Sequence, residues 1–134
     1  YARFASPGVV VAGYDPDPTS SDHAVTKQHL EILRASTDAK GRELEVVVLE
    51  APSTVRGKFA NDDFAAGYIN FYVCNGAVIA PEFGDEKADL AAKQTLQRLF
   101  PKRKIVQINI DGIAAGGGGT ALLGRTALVQ PDEE

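Results

Sequence analysis

The chain has 134 residues, 44% hydrophobic and 24% charged, with a formal net charge of -4. That length and composition allow one domain with a real core and exclude a disordered chain. The acidic balance predicts no nucleic-acid partner, because the one dense basic run, Lys102-Arg103-Lys104, follows Pro101 and a predicted helix, where cations complement exposed carbonyls. A single Cys excludes an intrachain disulfide. No apolar run approaches the roughly 20 residues of a membrane helix, and no cationic, apolar leader precedes Ala2, so a cytoplasmic, unprocessed chain without a membrane partner is expected. The sequence begins at Tyr1 and contains no Met, from which we expect residues ahead of Tyr1.

In chain order, Tyr1-x-x-Phe4 leads through Ser6-Pro7-Gly8 into Val9-Val10-Val11-Ala12, two β-rich runs about a turn. Ser20 or Ser21 then caps a predicted helix that runs to about Asp38 and buries Val25, Ile32 and Leu33, with Gly41 as its terminator. Leu44 to Leu49 is the next strand. Residues 51–67 read as a loop whose Gly, Ser and Asp content leans towards mobility. Tyr68-x-x-Phe71 restarts the pattern: Ile69 to Cys74 and Ala77 to Ala80 are strands joined by Asn75-Gly76, a strong hairpin signal. Gly84-Asp85 supplies a helix cap. From Glu86 to Phe100 the residues Ala88, Ala92, Leu96 and Leu99 recur at helical spacing, with Lys87, Asp89, Lys93, Gln97 and Arg98 on the other faces. Pro101 stops that helix, and Lys104 to Ile110, rich in Ile and Val, reads as a strand covered by helices.

The two halves therefore repeat each other. The predicted fold class is α/β, helix on sheet, in two ββαβ units: 1–50, then the loop 51–67, then 68–119 with a Gly-rich end.

Few residues invite chemistry. Cys74, inside an apolar strand, reads as a small buried hydrophobe rather than a nucleophile. His23 and His29 are six residues apart on one helix, hence on different faces, so they form no metal pair and no metal site is expected. Asp62-Asp63 and Glu82 with Asp85 are carboxylate clusters that loop solvation and helix capping explain. Gly116-Gly117-Gly118-Gly119 follows a strand and Asp111-Gly112-Ile113. It lacks the lysine and helix of a phosphate loop, and linker and ligand-loop readings both stay open.

Larger motifs narrow the choice. Tyr68-Ile69-Asn70-Phe71-Tyr72-Val73-Cys74-Asn75-Gly76, Ala80-Pro81-Glu82-Phe83-Gly84-Asp85, Leu99-Phe100-Pro101 and the closing Gly run, preceded by Arg3-Phe4-x-x-Pro7-Gly8-Val9-Val10 and Asp38-Ala39-x-Gly41-Arg42, resemble the C-terminal part of agmatine deiminases and Porphyromonas-type peptidyl-arginine deiminases. The likeness is collinear from Tyr1 to about Gly119. It implies the pentein fold, a fivefold α/β propeller of ββαβ modules, of which two would be present as an incomplete ring. It also implies hydrolysis of a guanidinium to a ureido group and ammonia: a Cys thiolate attacks the carbon, carboxylates hold the cation and a His moves protons, with no cofactor. For agmatine the product is N-carbamoylputrescine, on the route to putrescine.

Carried over residue by residue, the resemblance leaves the catalytic positions empty. The family's Gly-His-x-Asp motif would fall before Tyr1. The His-Cys that should follow the Gly run is replaced by Thr120-Ala121-Leu122-Leu123, which leaves Gly116, Gly117, Gly118 and Gly119 as a remnant of the substrate loop and no catalytic residue. Codons for Gly119 to Arg125 exist that give His-Cys one base out of frame, so 120–134 is expected to be a frameshifted tail. The sequence-based expectation is thus a truncated, inactive relative. The alternative is an interaction module, a homo-oligomer or the partner of a complementary fragment, that pairs through exposed sheet edges and module faces. A hydrolase completed in trans is disfavoured, since no motif His or Cys is present.

Overall fold

A computed structural model describes residues 1–119. The expected tail, 120–134, lies outside the described residues. Strands β1 (Ala2–Ser6) and β2 (Val9–Tyr14) form an antiparallel pair, and β3 (Glu45–Glu50) returns parallel to β2 after helix α1 (Ser21–Arg34). The order then repeats: β4 (Tyr72–Cys74) pairs antiparallel with β5 (Ala77–Glu82), and β6 (Lys104–Asn109) lies parallel to β5 after α2 (Glu86–Leu99). A short helix, α3 (Asp111–Ala114), follows. Each unit is a three-stranded sheet with its hairpin strand in the middle, and each parallel pair needs the helical crossover that the sequence provides.

Local chemistry fixes these elements. Gly8 and Gly76 take φ of 81° and 74° in the two hairpin turns, a region that L side chains rarely adopt. The Ser20 side chain caps α1 by accepting from Asp22 N, and Asp85 caps α2 by accepting from Ala88 N. Both sheets share one core, in which Val11 and Leu49 join Tyr68, Phe71, Val78, Phe83 and Leu96. The first strand is also tied to the second unit, since Arg3 donates to Phe71 O and stacks 4.4 Å from the Phe71 ring.

Several expected boundaries move. α1 ends at Arg34, four residues before Asp38, where Ala35 N closes on Glu31 O. Gly41 does not terminate it. The Asp38 carboxylate accepts from Lys40 N and Arg42 N and builds a separate turn, with Gly41 at φ 77°. The buried face of α1 is Thr26 and Leu30, whereas Val25 and Ile32 are 41% and 55% exposed, because α1 covers only β2 and β3. The segment from Ile69 to Cys74 is strand only from Tyr72, for Tyr68, Ile69 and Phe71 serve as core side chains and Phe71 O is taken by Arg3. Asp89, expected on a solvated face, is buried. β3 is displaced by one residue from the expected Leu44 to Leu49, β5 runs on through Pro81 and Glu82, and α3 was not expected at all.

Candidate functional site at the carboxyl ends of the strands

In open sheets with parallel strands, ligands gather beyond the carboxyl ends of the strands. Here the segments that leave those ends are 15–20 after β2, 51–67 after β3, 83–85 after β5 and 110–119 after β6. They converge on one face, and residues 51–67 cross between them as a strap without helix or strand.

The middle of the strap is held by Arg56. Its Nη2 lies 2.6 and 2.5 Å from the two carboxylate oxygens of Glu82, and its Nη1 lies 3.2 and 3.1 Å from those of Asp111. A guanidinium fork meets two carboxylates in this way where a point charge could not. Burial pushes the Arg56 pKa down, but the hydrogen bonds it donates to Glu82 and Asp111, with the charges of those carboxylates, outweigh it and the net shift is upward. Gly84, at φ 89°, makes room for the group: a Cβ there would stand 3.0 Å from Arg56 Nε.

The ends of the strap are tied as well. Ser53 N donates to Asp85 Oδ2 at 2.9 Å, Asn61 Nδ2 to Ala115 O at 3.2 Å and Ala65 N to Ala114 O at 2.9 Å. Phe64 packs edge-on against Phe83, ring centroids 5.9 Å apart. These ties give a loop of mobile composition a defined path. Between the strap and the 15–20 loop lies a cleft of about 700 Å³ whose lining includes Asp15, Asp17, Ser53, Asn61 and Phe64.

Below the strap, the Asp89 carboxylate accepts from Tyr68 Oη at 2.7 Å, Phe83 N at 2.9 Å and Gly84 N at 3.0 Å. It thereby holds the 83–85 turn at the end of β5. Burial first, and then this bond to Asp89, pushes the Tyr68 phenol far above its ordinary range. Asp85 is shifted down, chiefly by the Ala88 N–H it accepts at the helix start.

The residues singled out from sequence divide between this face and the rest. Gly116, Gly117, Gly118 and Gly119 do lie on it, directly after α3; Gly117 takes φ 76°, and a Cβ on Gly119 would stand 2.4 Å from Asn70 Cβ. Glu82 and Asp85 lie on it too, but Glu82 is an ion-pair partner and not merely a solvated loop carboxylate. Asp62 and Asp63 are exposed on the strap. Cys74 is on β4, half-buried, its thiol donating to Ala77 O at 3.5 Å. His23 and His29 are on α1, against the other sheet: His23 Nδ1 donates to Asp15 O at 2.8 Å, and the His29 ring packs at a tilt of 54° against Tyr1. Among the described residues no three His, Cys, Asp or Glu side chains converge as metal ligands do. No helix there is long and apolar enough to cross a membrane. Sequence reasoning missed Arg56 and Asp111, since a bond between residues 55 positions apart leaves no local signal.

The fold and this loop face define a mixed α/β protein of the deiminase class. It superposes with a TM-score of 0.78 and 34% identity on the solved agmatine deiminase of Enterococcus faecalis, over 90% of this chain and 37% of that one. The chain belongs to the family described as Porphyromonas-type peptidyl-arginine deiminase, whose model matches residues 1–121. Similar relatives include provisionally named agmatine deiminases of Streptomyces avermitilis, 43% identical over 118 residues, and Streptomyces coelicolor, 46% identical over 121. Each match takes in 88% of this chain but only 33% and 34% of the respective relative. The chain thus spans about a third of the length of the curated relatives it matches.

Proposed function

We propose that the chain is a two-module sector of an agmatine-deiminase-like ring, carrying part of a guanidine-hydrolysing site but inactive on its own. The observation that carries the reading is the placement of the groups that the reaction needs. A thiol attacks a guanidinium carbon only when a base or a cationic setting keeps it ionised, and a His ordinarily protonates the departing ammonia. Cys74 is the only Cys in the sequence. Its thiol, at the end of β4, donates to the Ala77 carbonyl at the start of β5, while both His residues are on α1, which packs on the other sheet. The Gly run, Glu82 and Asp111 would then form one wall of a site whose nucleophile and base are not in this chain.

Ammonia and N-carbamoylputrescine release from agmatine by the purified chain tests this, with Cys74→Ala alongside. No product above the buffer rate is expected from either protein. Turnover in the parent chain that Cys74→Ala abolishes would sink the proposal.

A second reading, an interaction module, has its own observation. Phe4 on the edge strand β1 and Tyr1 beside it are 64% and 63% exposed, and Leu90 on α2 is 54% exposed. An open strand edge with large apolar side chains favours association, here into a homo-oligomer.

A further inference from the structure

Segment 51–67 crosses the carboxyl ends of both sheets, has no regular structure of its own, and carries one side chain that reaches two strands' ends at once. We propose that Arg56 is a positioning residue: its guanidinium latches the strap onto Glu82 and Asp111, and through the strap it sets the place of the glycine run 116–119. The inference rests on the reading above that this run belongs to a ligand-facing loop.

The route is short. Asp111 is the first residue of α3, a helix of only four residues that runs straight into Ala115 and Gly116. Its side chain is 4% exposed, so without Arg56 it would be a buried carboxylate with no cationic partner among the described residues, an expensive state that the end of β6 would relieve by moving. Beyond Arg56 the strap touches the same stretch twice more, through Ala65 N on Ala114 O and Asn61 Nδ2 on Ala115 O. Gly117 faces Asp63 O, 3.8 Å from where a Cβ would stand. A helix of four residues cannot hold such a run in place by itself. The seat on Gly84 fits the flat guanidinium, and a lysine could not span both carboxylates.

Shape as well as charge is therefore required, and this gives a test. Amide exchange at Ala114, Ala115, Gly117 and Gly118, whose N–H groups are bonded in the structure, is followed together with tryptic cleavage after the exposed Lys58. Arg56→Ala is expected to raise both by roughly tenfold, as a local opening does. Methylguanidinium at roughly tens of millimolar, the scale of a tethered group's effective concentration, should restore protection at both places. Methylammonium at the same concentration, and Arg56→Lys, should not. If Arg56→Ala does not fold, Gly84→Ala is used: by crowding the guanidinium from its seat it should loosen strap and glycine run together. Faster cleavage at Lys58 with unchanged exchange at 114–118 overturns the coupling, and equal rescue by methylammonium overturns the guanidinium latch. No arm reads turnover, so failure here leaves the question of catalytic inactivity where it stood.

Discussion

Asp89 and Tyr68 carry most of the polar order under the candidate site. Tyr68→Phe removes one buried hydrogen bond to a charged acceptor and should cost roughly 1.5–3 kcal/mol in urea unfolding. Asp89→Ala should cost more, because it strands Tyr68 Oη, Phe83 N and Gly84 N together. The pH dependence follows from the same bond. The folded pKa of Tyr68 is raised, so its contribution is complete below the unfolded value, about 10, and is lost as pH rises towards the folded value. Stability should therefore fall above about pH 10, and Tyr68→Phe should flatten that limb. Asp85 has the opposite sign: its folded pKa is lowered, so its contribution is present above about 4 and lost as pH falls through the folded value. Asp85→Asn, which keeps a capping oxygen, should flatten the acid limb. The Asp85 cap was legible in sequence because a cap acts over three residues. Asp89 was not, since only the approach of Tyr68, 21 positions away, turns a helix-surface aspartate into a buried one.

At the scale of elements, helical spacing and caps located α1 and α2, turn residues located both hairpins, and the exceptions have physical causes. α1 lies on β2 and β3 alone, so one narrow stripe is covered and the flanking apolar residues stay in solvent. Leu30→Ala should cost roughly 2–5 kcal/mol, as buried truncations do, whereas Ile32→Ala should stay within about 0.5 kcal/mol. Equal losses would show that Ile32 is covered in solution. The long apolar run before Cys74 reads as one strand, yet its first half gives its side chains to the core shared by the two sheets and its carbonyl at Phe71 to Arg3. No pattern within 69–74 could announce a partner at residue 3. The strap was legible as a loop, but its anchors were not, because each is a contact between segments far apart in the chain.

For the whole molecule, the recurring order of two strands, a helix and a strand was readable from the Tyr-x-x-Phe motifs and the patterns that follow each. The shared core, which makes the two units one body, was not. The exposed Phe4 and Leu90 lead to one prediction at this scale: sedimentation at rising concentration should show self-association that Phe4→Ser weakens, and a monomer throughout would set the homo-oligomer aside. The central claim concerns Cys74, which we take to be a structural side chain of β4. Iodoacetamide labelling of Cys74 across pH, with and without agmatine, tests it most directly. The account predicts labelling slower than that of free cysteine at every pH and indifferent to agmatine. Fast labelling near neutral pH that agmatine suppresses in a saturable way would contradict it and make Cys74 a substrate-facing nucleophile.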